Sequence, residues 1–169
     1  MTCANFASAV STEACPWKNY SFINVSVMSV VFYQCLSCGN IVFMVENSGV
    51  TPVCCGEQMM RLEPKLKDNG LEKHLPDATW LDDCTLRVTV GSEPHPMVDD
   101  HYIMFVALEM KDGIVIRCLK GKCKAKVDFY CCRTDAVAVY AWCNIHGLWK
   151  TSLEAEKVKG AMTTEGCKR

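Results

Sequence analysis

From Val30 onward the apolar positions fall into short runs with turn residues between them. The runs are Val30 to Gln34, Asn40 to Glu46, Val50 to Val53, Leu86 to Val90, Tyr102 to Met110, Ile114 to Leu119, Ala125 to Tyr130 and Ala136 to Trp142. They are rich in β-branched and aromatic residues, which predicts strands. Asn47-Ser48-Gly49 and Lys111-Asp112-Gly113 read as hairpin signals, because glycine adopts positive φ without steric cost. The pattern predicts an all-β protein, and the close strand spacing in its second part predicts a sandwich in which alternate residues face a shared core. The one helical signal after Trp149 is Thr151-Ser152-Leu153-Glu154, a capping box leading toward Lys159-Gly160.

The same pattern divides the chain. Residues 1–27 precede Met28-Ser29-Val30, which reads like an ordinary protein start, so they are expected to be a disordered or untranslated extension. A targeting extension is the alternative, and the lack of arginine in the segment argues against an Arg-rich presequence. Leu62 to Gly70, with Pro64 and Asp68-Asn69-Gly70, reads as a linker. The expected units are therefore a small domain over 28–63, the sandwich over 64–150 and a peripheral tail over 151–169.

Composition narrows the partners. With 18 basic and 19 acidic side chains in 169 residues and no Lys/Arg run, nucleic acid is not an expected partner. Phe22 to Tyr33 is apolar in part, but Asn24, Ser26 and Ser29 interrupt it and it is too short to span a bilayer, so no membrane role is expected. Thirteen cysteines without a secretory leader pattern fit a reducing, cytoplasmic setting, where thiolates stay available for metal.

The candidate chemistry lies in two groups. All four histidines sit in short motifs, Glu72-Lys73-His74-Leu75-Pro76, His95-Pro96-Met97, His101-Tyr102-Ile103 and Cys143-Asn144-Ile145-His146-Gly147-Leu148-Trp149. Four imidazoles and one thiolate make a five-ligand set suited to one transition metal with an open position. One such histidine alone would read as a core residue; four in motif do not. Upstream, Cys35-Leu36-Ser37-Cys38-Gly39 and Cys54-Cys55-Gly56 offer four thiolates for a tetrahedral ion, iron or zinc. Adjacent Cys54 and Cys55 must converge from opposed directions, which is unusual for a relaxed zinc ribbon. Among the other eight cysteines, Cys118, Cys123 and Cys131-Cys132 could be drawn as a third four-sulfur set, but on hairpin strands they read as small apolar residues.

Over residues 29 to 150 the chain resembles desulfoferrodoxin, the two-iron form of superoxide reductase. Tyr33-Gln34-Cys35-Leu36-Ser37-Cys38-Gly39-Asn40-Ile41-Val42 and Cys54-Cys55-Gly56-Glu57 look like its desulforedoxin domain, and the histidine motifs follow in the family's order. The resemblance implies a small rubredoxin-type metal domain followed by a seven-stranded immunoglobulin-like β-sandwich. It implies two irons, one held by Cys35, Cys38, Cys54 and Cys55. The other would have His74, His95, His101 and His146 as equatorial ligands and Cys143 as the axial one. Such a ferrous centre carries a net positive charge, which attracts the superoxide anion, while the thiolate pushes electron density toward the bound oxygen.

By the same resemblance Glu72 ligates the oxidised iron, and Lys73 draws in superoxide and supports protonation of the product. The implied reaction is one-electron reduction of superoxide to hydrogen peroxide, with rubredoxin or a similar protein as donor and a homodimer as the assembly. Dismutation, electron transfer without turnover and a zinc-stabilised interaction module are the competing readings. Phe105 stands where the family commonly has tryptophan, and Leu75 where it has Ile or Val; both keep an apolar side chain.

Overall fold

The computed structural model describes residues 30–67, 74–119, 121 and 124–153. The extension over 1–27, the tail from Glu154 onward, and Glu72 and Lys73 lie outside the described residues. What is described is all-β. In the small N-terminal unit β1 (Val31–Gln34) is flanked antiparallel by β2 (Ile41–Met44) and β5 (Met60–Leu62). A separate two-residue hairpin joins β3 (Val53–Cys54) to β4 (Glu57–Gln58). The run Val50 to Val53 thus contributes only its last residue to a strand. Asn47-Ser48-Gly49 does turn, with the Gly49 N–H donating to Asn47 Oδ1 at 3.0 Å and Gly49 at φ +85°, but β2 and β3 do not pair across it.

Seven strands build the sandwich expected for the second part. One sheet has the order β10 (Lys126–Tyr130), β7 (Thr85–Val90), β6 (Pro76–Asp82). The other has the order β12 (Gly147–Ser152), β11 (Ala136–Cys143), β8 (Ile103–Met110), β9 (Gly113–Cys118). Lys111-Asp112 closes the β8–β9 hairpin as expected, although Gly113 enters β9 without a left-handed φ. The helix start expected at Thr151-Ser152-Leu153 does not form. Ser152 pairs with Ala138, and the N–H of buried Leu153 donates to Val137 O at 2.8 Å, so ladder bonds replace the local cap. The described part of the linker is tied into the fold: Leu62 closes β5, and Lys65 exchanges backbone bonds of 2.8 and 2.9 Å with Leu148 and Lys150.

Why β8 and β11 read as nearly continuous apolar runs is explained by burial on both faces. On one face Val106, Leu108, Val139, Ala141 and Cys143 pack between the sheets against Trp80, Leu86, Val88, Val90 and Phe129. On the other, Phe105, Ala107, Ala138, Tyr140 and Trp142 form a second cluster with Phe32 and Leu62 of the small unit. Phe32 is 2% exposed and its ring lies 5.4 Å from Phe105 and 6.0 Å from Tyr140. Val31, Tyr33 and Cys35 instead form a third cluster with Met59, against which Cys54 packs. One strand therefore joins a metal site to the outside of the sandwich. On that outer face Glu109, the one buried acid among the described residues, accepts from Tyr140 Oη at 2.8 Å and lies 3.5 Å from Lys150 Nζ.

Candidate metal centres

The four-cysteine site is built from two tight turns. In the first, Gly39 takes φ +76° and donates its N–H to Cys35 O at 2.9 Å, which folds Cys38 back beside Cys35. In the second, Cys54 pairs with Glu57, so Cys55-Gly56 is a two-residue hairpin loop. Both loop residues have positive φ, 54° and 82°, the requirement of a type I′ turn. A left-handed non-glycine residue costs about 1–2 kcal/mol, and Cys55 is the only one among the described residues. That strain aims the Cys55 sulfur back at the site.

Cys38 Sγ lies 3.7 Å from Cys54 Sγ, and Cys54 Sγ 3.9 Å from Cys55 Sγ. A tetrahedral ion about 2.3 Å from each sulfur requires a separation of about 3.8 Å, so the sulfurs fit one. Their ionisation favours the same conclusion. Hydrogen bonds from Cys38, its backbone N–H foremost, pull Cys35 down to about 7, while shared bonds with Cys38, Cys54 and Cys35 push Cys55 up to about 12. One thiolate forms readily, and the last needs a cation.

The second set collects at one end of the sandwich. His74 lies two residues before β6, His95 follows β7, His101 precedes β8, and Cys143 and His146 flank the β11–β12 turn. Ring centroids of His74–His95, His95–His101, His101–His146 and His146–His74 are 4.6, 4.6, 4.9 and 4.4 Å apart, against 6.0 Å for His74–His101. Four nearly equal edges and a longer diagonal describe a square, in the order 74, 95, 101, 146. Cys143 Sγ sits 3.5 Å from His146 Nδ1 and is fully buried. All five ligand atoms lie within 4.8 Å of one another.

The surroundings prepare these side chains for a cation. His95 Nδ1 bonds to Pro96 O at 2.6 Å, which fixes its proton there and turns the buried Nε2 toward the site, where no hydrogen-bond partner meets it among the described residues. Burial holds the His95 imidazole below its ordinary range, only partly offset by the Pro96 bond, so it is neutral and able to ligate. Trp149 stacks on His74 at 5.0 Å and 15°, and Lys65 Nζ rests 4.9 Å from the same indole. His74 and His95 are buried, whereas His101 and His146 are partly exposed, so the site opens on their side.

The structure thus gathers all nine ligands expected from the sequence into two sets. The supporting roles of Pro96, Asn144 and Trp149 were missed, although each lies inside a quoted ligand motif. Among the described residues the remaining cysteines form no third cluster, and Cys123, one of the third set considered, lies outside the described residues. Cys118 pairs with Phe105 near the histidine end, while the Cys131 N–H donates at 2.9 Å to Cys84 O at the other end. Cys131 packs against the core, and burial pushes its thiol up to about 11. Cys84 is disulfide-bonded, which a wholly thiol reading of the chain did not anticipate.

Comparison with known proteins agrees with both sites. The desulfoferrodoxin profile matches residues 67–152, and the profile of the desulfoferrodoxin N-terminal domain matches residues 29–62. A desulfoferrodoxin homolog of Archaeoglobus fulgidus is 41% identical over 120 residues, 70% of this chain and 94% of that one. The desulfoferrodoxin of Nitratidesulfovibrio vulgaris is 36% identical over 118 residues, 70% of this chain and 92% of that one. The crystal structure of the superoxide reductase from Treponema pallidum superposes with a TM-score of 0.64 at 26% identity, covering 74% of this chain and 99% of that one. The two ligand sets fit the two irons of such proteins. The chain belongs to the desulfoferrodoxin family.

Proposed function

We propose that the protein is a superoxide reductase, reducing superoxide by one electron to hydrogen peroxide at the histidine end of the sandwich. The observation that carries this reading is the square of four imidazoles over a buried Cys143, open on the side of His101 and His146. His74, His95, His101, His146 and Cys143 would together hold an iron there. Bound there, iron supplies one reducing electron and a positive charge for the anion. The chain's own residues do the rest. Pro96 orients His95, Trp149 steadies His74, and the sandwich core excludes water from the sulfur.

Glu72 and Lys73 directly precede His74 in sequence, and their roles as a ligand of the oxidised site and as a guide for superoxide rest on the family resemblance. Residues 28–63 would form the relay domain and 64–150 the catalytic one. The four-cysteine set would pass electrons from rubredoxin or a similar donor, in a cytoplasmic homodimer. Among the described residues no helix is long and apolar enough to cross a membrane.

The test is product stoichiometry under a generated flux of superoxide with an excess of electron donor. Equimolar hydrogen peroxide and no released dioxygen mark reduction. Half as much peroxide, with dioxygen, marks dismutation and overturns the reading; no consumption at all leaves an electron-transfer protein.

A further inference from the structure

We infer that Asn144 is a positioning residue that fixes the buried sulfur of Cys143 against the imidazole of His101, an inference whose functional weight rests on the superoxide reductase reading. The ladder between β11 and β8 is irregular where it reaches the site: the register shifts between Trp142 and Cys143, so Cys143, although paired with Gly147 on β12, is not held by a continuous ladder to the strand that follows His101. Asn144 supplies the missing bonds. Its Oδ1 accepts from the Tyr102 N–H at 2.8 Å, its Nδ2 donates to Asp100 O at 2.8 Å, and its own backbone N–H donates to Tyr102 O at 3.2 Å.

Residues 100 and 102 are the two neighbours of His101, so one side chain grips that ligand's backbone on both sides. The carboxamide acts here as a spare peptide unit, offering one acceptor and one donor in a fixed plane. Swapping its oxygen and nitrogen would set donor against donor and acceptor against acceptor, which fixes the amide orientation. Asn144 does not act on the sulfur itself. Its Oδ1 lies 4.0 Å from Cys143 Sγ, and an amide oxygen has no proton to give a thiolate. Its effect passes through backbone position.

The experiment compares iron-loaded full-length Asn144→Ala and Asn144→Asp with wild type. Aspartate keeps the acceptor for Tyr102 and loses the donor to Asp100. The control is Leu86→Ala, a fully buried cut on β7 between Trp80 and Phe129, away from the ligands. The readouts are the thiolate-to-iron absorption band, the midpoint potential of that iron, and iron retention against a chelator. The absorption of the four-sulfur centre in the same chain is an internal reference.

For Asn144→Ala the band and potential shift and iron retention falls about tenfold or more, the range typical of groups that orient metal ligands. Asn144→Asp moves them less. Leu86→Ala lowers the melting temperature without moving the band or the potential, and the four-sulfur absorption stays constant in every variant. A wild-type band and potential in iron-loaded Asn144→Ala overturns the inference, and so does an equal shift in Leu86→Ala. If Asn144→Ala fails to fold, Asn144→Asp decides by the same readouts. Wild-type protein that shows the thiolate band but does not reduce superoxide removes the functional reading and leaves this inference standing.

Discussion

Truncating Phe32 to alanine should separate the unfolding of the two halves of the molecule. The ring is 2% exposed, sits on the first strand of the four-cysteine unit, and contacts Phe43 at 5.7 Å, Phe105 at 5.4 Å and Tyr140 at 6.0 Å. Loss of its burial costs about 1.5–3 kcal/mol. The cavity left among side chains held by two sheets raises the total to about 3–5 kcal/mol. Phe32→Leu keeps most of the volume and should cost less than about 1.5 kcal/mol. Two of the three aromatic contacts cross to the sandwich, so the deficit falls on docking and spares the sandwich core.

The assay is guanidinium unfolding followed by two probes, the absorption of the four-sulfur centre and the fluorescence of Trp80, Trp142 and Trp149. In wild type the two transitions should coincide. In Phe32→Ala the four-sulfur signal should be lost first. A double-mutant cycle with Phe105→Ala should recover a coupling of about 0.5–1.5 kcal/mol. Coincident transitions in Phe32→Ala with a loss under about 1 kcal/mol would refute the view that this ring joins the units.

Cys143→Ser should bring superoxide reduction to background even when iron is loaded, because a hard oxygen ligand cannot replace the thiolate's electron density; retained turnover in the iron-loaded variant would show that the sulfur does not hold the reacting iron. Lys73→Ala should slow the encounter with superoxide and flatten its ionic-strength dependence, measured by pulse radiolysis over a salt series. Gly56→Ala should weaken metal in the four-cysteine site alone: the added Cβ meets nothing within 4 Å, so the cost of about 1 kcal/mol or more comes from φ +82°, and metal analysis should show the histidine site unchanged. Asp128, bonded by Arg87 at 2.7 and 2.8 Å, is held below the ordinary carboxylate range by that guanidinium. A depressed folded-state value makes its stabilisation complete above the unfolded value near 3.9 and lost as pH falls through the folded one, so Asp128→Asn should cost about 0.5–1 kcal/mol at neutral pH and nothing in strong acid.

The ligands were legible in the sequence because residue type carries their chemistry and the motifs fall in or beside the connections between strands. The order of the imidazoles around the square was not, since it depends on which loops the two sheets bring together. Strands β8 and β11 announced themselves by apolar content, but that content hid a second buried face until Phe32 was seen to cover it. β6 escaped notice because it begins with Pro76 and carries Asp77 and Asp82, as an edge strand tolerates. β12 was misread at its end, where Thr151-Ser152 mimics a helix cap and only the pairing with β11 overrules it.

Trp149 carries one more consequence. Lys65 and His74 both rest on its indole, so one side chain of β12 is shared between the segment that leaves the small unit and a histidine of the metal site. A change at Trp149 therefore cannot be local to either: it withdraws the ring that carries the Lys65 cation and the face on which the His74 imidazole stacks in a single step. The indole is a junction between the two halves of the chain, laid on the sandwich side.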